Sequence, residues 1–140
     1  MKIIFVCTGN TCRSPMAEGI AKKLYPEFEF SSAGVYANDG DTVSKNAVLA
    51  LKEFGIDISS YSAKSLNYEM VDECDYLIPM TLSHKNNLVM LGVNPDKILL
   101  FNDEIFDPFG ASLEIYKDCA KQIEKNIKIT IGEIYDNNSK

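Results

Sequence analysis

Lys2-Ile3-Ile4-Phe5-Val6-Cys7-Thr8-Gly9-Asn10-Thr11-Cys12-Arg13-Ser14-Pro15 carries three structural instructions in succession. The run Lys2 to Val6, apolar from Ile3 onward, has the composition of a strand buried on both faces of a parallel sheet. Ser14 and Pro15 are N-cap and first-turn signals. Met16, Ile20 and Leu24 follow at helical spacing, which predicts a helix to about Tyr25. The polar stretch between them is a loop joining the carboxyl end of a strand to the amino end of a helix.

That loop holds the only arginine, Arg13, among 14 lysines and arginines. A guanidinium differs from an ammonium in its rigid planar fork, which grips two oxygens of a phosphate at once. Five residues separate Cys7 from Arg13. Gly9 and Asn10 allow so short a loop to curl until its N–H groups and the guanidinium converge over the sulfur. The donors of such a cradle favour the thiolate of Cys7, and they also favour the equatorial oxygens of a phosphoryl group in transfer. Ser14 can cap the helix, reach back to the sulfur, or do both.

The rest of the chain repeats the strand and helix alternation. Phe28 to Ala33 reads as a second strand and Gly34 to Asp41 as a loop, after which Thr42 caps a helix marked by Ala47, Ala50, Leu51 and Phe54 and closed by Gly55. Tyr76 to Met80 is a third strand, Thr81 caps a helix ending at Gly92, and Lys97 to Phe101 is a fourth strand before the loop Asn102 to Ala111. Ser112 opens the last helix. Tyr116, Ala120, Ile123, Ile127, Ile131 and Ile134 form its apolar stripe, and the polar tail Asp136 to Lys140 is expected to fray. The expected fold is therefore α/β: one domain, 1–140, with a doubly wound sheet of about four parallel strands flanked by helices. Ligands of such sheets sit at the carboxyl ends of the strands, where the Cys7 loop lies.

Composition narrows the partners. A net charge of −6 with no long basic run leaves no electrostatic footprint for nucleic acid or an anionic membrane. No signal peptide or membrane-length apolar run is seen, so the expected location is cytoplasmic, and Cys7, Cys12, Cys74 and Cys119 are expected to be thiols. Zinc is not expected from an isolated Cys-x4-Cys with His84 as the sole histidine. His84 is expected at the surface, and Cys74 and Cys119 in the core.

A nucleophile needs a proton donor for its leaving group. Asp107 is the candidate, because Pro108 stiffens its loop and Phe109 can wall an apolar pocket that favours the protonated acid; Asp103 and Glu104 lack that rigid context.

The pattern Val6 through Glu18, with Ser32-Ala33-Gly34 and Asp107-Pro108, resembles the low-molecular-weight protein tyrosine phosphatases over essentially the whole chain. The resemblance implies a phosphocysteine mechanism without metal or cofactor, acting on phosphorylated proteins. Cys7 is then the nucleophile, Arg13 the phosphate ligand and Asp107 the general acid and then base. Thr8, Gly9, Asn10, Thr11, Cys12, Ser14 and Phe109 would meet substrate, with Asn10, Ser14 and Ser32 shaping the loop. It also implies that Cys12 can form a reversible, protective disulfide with Cys7.

Within that family the chain is most similar to the bacterial branch that acts on protein phosphoarginine. Cys7 to Glu18, Met80-Thr81, Asp107-Pro108-Phe109-Gly110, Ser112 and Ile115-Tyr116-Lys117 carry the likeness. Tyrosine-specific members usually place a larger apolar residue at the Thr11 position, whereas a threonine hydroxyl suits a guanidinium. Phosphotyrosine is the alternative substrate; arsenate reduction and non-catalytic phosphate binding are remoter readings. The chain departs from many members in having Tyr61 and Lys64 where they carry histidine and then arginine.

Overall fold

β1 (Lys2–Cys7) is the central strand of a three-stranded parallel sheet in the computed structural model, which describes residues 1–138. Ile3 through Cys7 are all buried, as the unbroken apolar run requires. β2 (Glu29–Gly34) pairs along one side of it and β3 (Tyr76–Pro79) along the other. Cys7 sits opposite Gly34 and Val6 opposite Pro79, so all three strands deliver their carboxyl ends to one edge.

Alternate residues of β1 feed two separate cores. Ile3 and Phe5 belong to the core formed with α1 (Arg13–Leu24), α2 (Lys45–Lys52) and α5 (Leu113–Asn138), while Ile4 and Val6 face Leu77, Leu88 and Val93 on the other side. Phe5 anchors the first core, its ring 5.9 Å from that of Phe30 and 6.2 Å from that of Phe101. α4 (Leu82–Met90) covers the second face, and Thr81 caps it by accepting from the His84 N–H.

The fourth expected strand is reduced to a single parallel bridge between Ile98 and Leu77. Leu99 N–H donates to the Leu77 carbonyl. The next bond of a parallel ladder would need an N–H from Pro79, which has none, so pairing stops there. Two boundaries and one element also differ. Thr42 caps nothing and instead bridges Ser62, while α2 starts after Ser44. A short helix, α3 (Tyr68–Glu73), was not expected; six residues are too few to show a period, although Asn67 accepts from the Met70 N–H as an N-cap. α5 runs through Asn138, three residues into the polar tail, and the Tyr135 ring just before that tail packs 5.4 Å from Tyr25 and 5.7 Å from Phe28. The last two tail residues, 139 and 140, lie outside the described residues.

Gly34 explains the Ser32-Ala33-Gly34 segment. A Cβ on it would lie 2.4 Å from the Thr8 carbonyl oxygen and 3.0 Å from the Asn10 nitrogen, both backbone atoms that cannot swing aside. The end of β2 thus packs directly on the loop after β1. Gly34→Ala is expected to lower the unfolding free energy by about 2 kcal/mol or more, through displaced backbone. Urea unfolding checks it, and a stability unchanged from wild type would contradict this packing argument.

Candidate active site

Asn10 is the one non-glycine residue with positive φ among the described residues, at 56°. Asparagine visits this left-handed region more readily than other side chains because its short amide can bond locally. Here that amide is fully buried and makes three hydrogen bonds. Its Oδ1 accepts from Tyr61 Oη at 2.7 Å and from the Lys64 backbone N–H at 2.9 Å, and its Nδ2 donates to Ser14 Oγ at 2.8 Å. Tyr61 and Lys64, the positions at which the sequence departs from many family members, therefore both hold Asn10. Ser32 Oγ touches Tyr61 Oη and donates to the buried carboxylate of Glu18 at 2.8 Å, and Lys22 donates to that carboxylate at 2.6 Å. Burial pushes the Tyr61 hydroxyl up to about 12, so it remains a donor.

Ser14 does not cap α1. Its Oγ lies 2.8 Å from Cys7 Sγ, and the helix begins behind Cys12 with no side-chain cap. Because Asn10 Nδ2 occupies a lone pair of Ser14 Oγ, the serine proton is free to point at the sulfur. Asn10 and Ser14, expected to meet substrate, are fully buried behind the loop.

The remaining expected residues surround one cavity of about 210 Å³: Cys7, Thr8, Gly9, Thr11, Cys12, Arg13, Asp107 and Phe109. Arg13 is buried, and its guanidinium donates to the Ile105 carbonyl at 3.1 Å, which aims the fork across the cavity. Asp107 Oδ2 stands 3.9 Å from it on the rim, and Asp107 Oδ1 accepts from the Phe109 N–H at 3.1 Å. Phe109 is 78% exposed, so it overhangs the opening and does not enclose the acid. Glu104 is committed elsewhere, accepting from Leu82 N–H at the start of α4. Cys12 Sγ lies 3.3 Å from Tyr116 Oη, which accepts from Ser44 Oγ at 3.0 Å. Cys7, Cys12, Cys74 and Cys119 are free thiols, and Cys74 and Cys119 are buried in the core as expected.

His84 corrects a sequence expectation. Only 4% of it is exposed, and both ring nitrogens are bonded: Nδ1 to Thr81 Oγ1 at 3.0 Å and Nε2 to Thr8 Oγ1 at 2.8 Å. The available signal was Leu88, four residues on, which marks the inward face of the same helix. Burial, and then the Arg13 charge, push the imidazole down to about 4 against the opposing pull of Asp107 and Glu104.

Because the folded imidazole titrates near 4 and an unperturbed one near 6.5, the unfolded chain binds more protons between those values. Stability should then fall as pH drops through that window, by about 3 kcal/mol, and flatten with respect to this group below it. Urea unfolding of wild type and His84→Gln from pH 7 to 4 measures the difference. An identical slope in the two proteins would contradict the assignment.

No helix among the described residues is long and apolar enough to cross a membrane. The family model for low molecular weight phosphotyrosine protein phosphatases matches residues 2–139. The chain is 35% identical over 129 residues to the low molecular weight protein-tyrosine-phosphatase PtpB of Staphylococcus epidermidis, with 88% of this chain and 91% of that protein covered. It is also 35% identical over 140 residues to the protein-arginine-phosphatase of Bacillus subtilis, with 91% and 93% covered. Among solved structures, a low molecular weight protein tyrosine phosphatase from T. tengcongensis superposes with a TM-score of 0.88 at 43% identity, covering 95% of this chain and 99% of that one. The chain belongs to the low molecular weight phosphotyrosine protein phosphatase family, a family of protein phosphatases.

Proposed function

We propose that this protein is a cytoplasmic phosphatase of protein phosphoarginine, working through a phosphocysteine intermediate at Cys7. The observation that carries this reading is one cavity lined by both Cys7 and Arg13, with Asp107 on the rim 3.9 Å from the guanidinium and Thr11 in the wall. The thiolate attacks phosphorus in line, an S–P bond forms, and the P–N bond breaks with its electron pair leaving on nitrogen, which takes the Asp107 proton. Water then attacks the phosphocysteine and Asp107 accepts its proton. The S–P electrons return to Cys7, where the Ser14 hydroxyl supports the sulfur as a leaving group. Arg13 and the loop N–H groups stabilise the equatorial oxygens in both steps.

The relatives include both a tyrosine and an arginine phosphatase, at equal identity, so substrate choice rests on Thr11. Its hydroxyl offers a partner to a guanidinium N–H, and a buried N–H left without one costs about 1–3 kcal/mol. Phosphotyrosine, leaving as a phenol, is the second reading. Arsenate reduction is disfavoured by the placement of the spare cysteines. Cys74 lies in the core across the sheet, and Cys119 is fully buried with its thiol pushed up to about 12. Cys12, in the same wall as Cys7, is the proposed partner for a reversible protective disulfide.

Thr11→Ile should lower kcat/KM on a phosphoarginine protein by about tenfold to a hundredfold and leave or raise it on a phosphotyrosine peptide. A wild type that prefers phosphotyrosine, or a variant that loses both alike, would hand the lead to the tyrosine reading. Asp107→Asn should slow substrates with poor leaving groups far more than an activated aryl phosphate, which departs with little protonation. Equal losses on both would move the acid to another residue.

A further inference from the structure

His84 is unused by the mechanism just described, yet it connects α4 to the floor of the cavity. It is the only histidine of the chain and is buried, whereas its partner Thr8 is exposed at the cavity wall. A neutral imidazole has one N–H and one lone pair, so the Thr81–His84–Thr8 chain has two possible proton orders. In both, Thr81 Oγ1 accepts the backbone N–H of His84, at 3.2 Å.

In the first order Thr81 donates its hydroxyl proton to Nδ1, and Nε2–H donates to Thr8 Oγ1 across 2.8 Å. The Thr8 proton is then free for the cavity. In the second order Nδ1–H donates to Thr81 and Thr8 spends its proton on Nε2, which leaves only oxygen lone pairs facing the cavity. A doubly charged phosphoryl group held by Arg13 repels lone pairs turned toward it and attracts a hydrogen-bond donor. An oxyanion in the cavity therefore selects the first order.

We propose that His84 is a positioning residue of this site: held by Thr81, it donates from Nε2 to Thr8 and so turns the Thr8 hydroxyl into an additional hydrogen-bond donor for a phosphoryl oxygen. Thr8 touches substrate, and His84 and Thr81 act through it. This rests on the reading of the cavity as a phosphate site.

The lone histidine makes the test unambiguous. Long-range nitrogen–proton NMR of the 15N-labelled full chain, with inorganic phosphate at saturating concentration near pH 7, should show His84 as the Nε2–H tautomer. The Nδ1–H tautomer would overturn the proposal. Inhibition by inorganic phosphate of aryl phosphate turnover supplies the functional readout. Thr8→Val and His84→Met should each weaken phosphate by about tenfold, the size of one hydrogen bond, and the double variant should be no worse than either. His84→Gln, whose amide can still donate to Thr8, should stay within about threefold of wild type. Additive losses, or a glutamine variant as weak as the methionine one, would overturn the proposal even if every variant folds. A wild type that neither turns over aryl phosphate nor binds phosphate would overturn the phosphate-site reading itself. A wild type active on both counts but carrying the wrong tautomer refutes only the role of His84.

Discussion

The left-handed backbone at Asn10 is the constraint on which the site depends. A non-glycine residue there costs on the order of 1 kcal/mol, which three hydrogen bonds from a fully buried amide more than offset. The turn it permits lets seven residues from Cys7 to Arg13 double back on themselves. The same amide fixes Ser14 beneath the sulfur. The backbone turn and the serine contact to the Cys7 sulfur are consequences of one side chain.

The sheet supplies the frame for that turn. Parallel register brings the ends of β1 and β2 level, and the missing Cβ of Gly34 lets β2 press against the loop backbone. Support also comes from distant parts of the chain. Tyr61 and the Lys64 amide grip Asn10, the Ile105 carbonyl anchors Arg13, and the segment after it swings Asp107 to the rim. Buried floor and exposed acid differ in setting: Arg13 is held rigidly in the floor, while the Asp107 carboxylate stands in solvent at the rim, the arrangement that the proposed division between oxyanion binding and proton donation requires.

Much of this was legible in the sequence because it is local. The apolar run of β1, the Cys7 to Arg13 spacing and the Pro after Ser14 are contiguous signals, and they place strand, loop and helix correctly. What failed or stayed open was long-range. For Ser14 the sequence left a helix cap and a reach to the sulfur both open, and the sulfur and the Asn10 amide decide for the second. The fourth strand has strand composition yet cannot extend its ladder past Pro79. His84 looks like a polar residue on a short helix until the fold sets it beside Thr8, 76 positions away. Tyr61 could be noticed as a departure, but no local pattern shows that its hydroxyl reaches Asn10.

The central claim is that the Cys7 sulfur takes the phosphoryl group. Quenching the wild-type enzyme during turnover of a phosphorylated substrate, then mapping the phosphoryl group by mass spectrometry of its peptides, tests this directly. The account predicts covalent phosphate on Cys7, formed and discharged at rates that match turnover. A phosphoryl group on any other side chain, or turnover in full with no covalent intermediate and undiminished in Cys7→Ser, would contradict it.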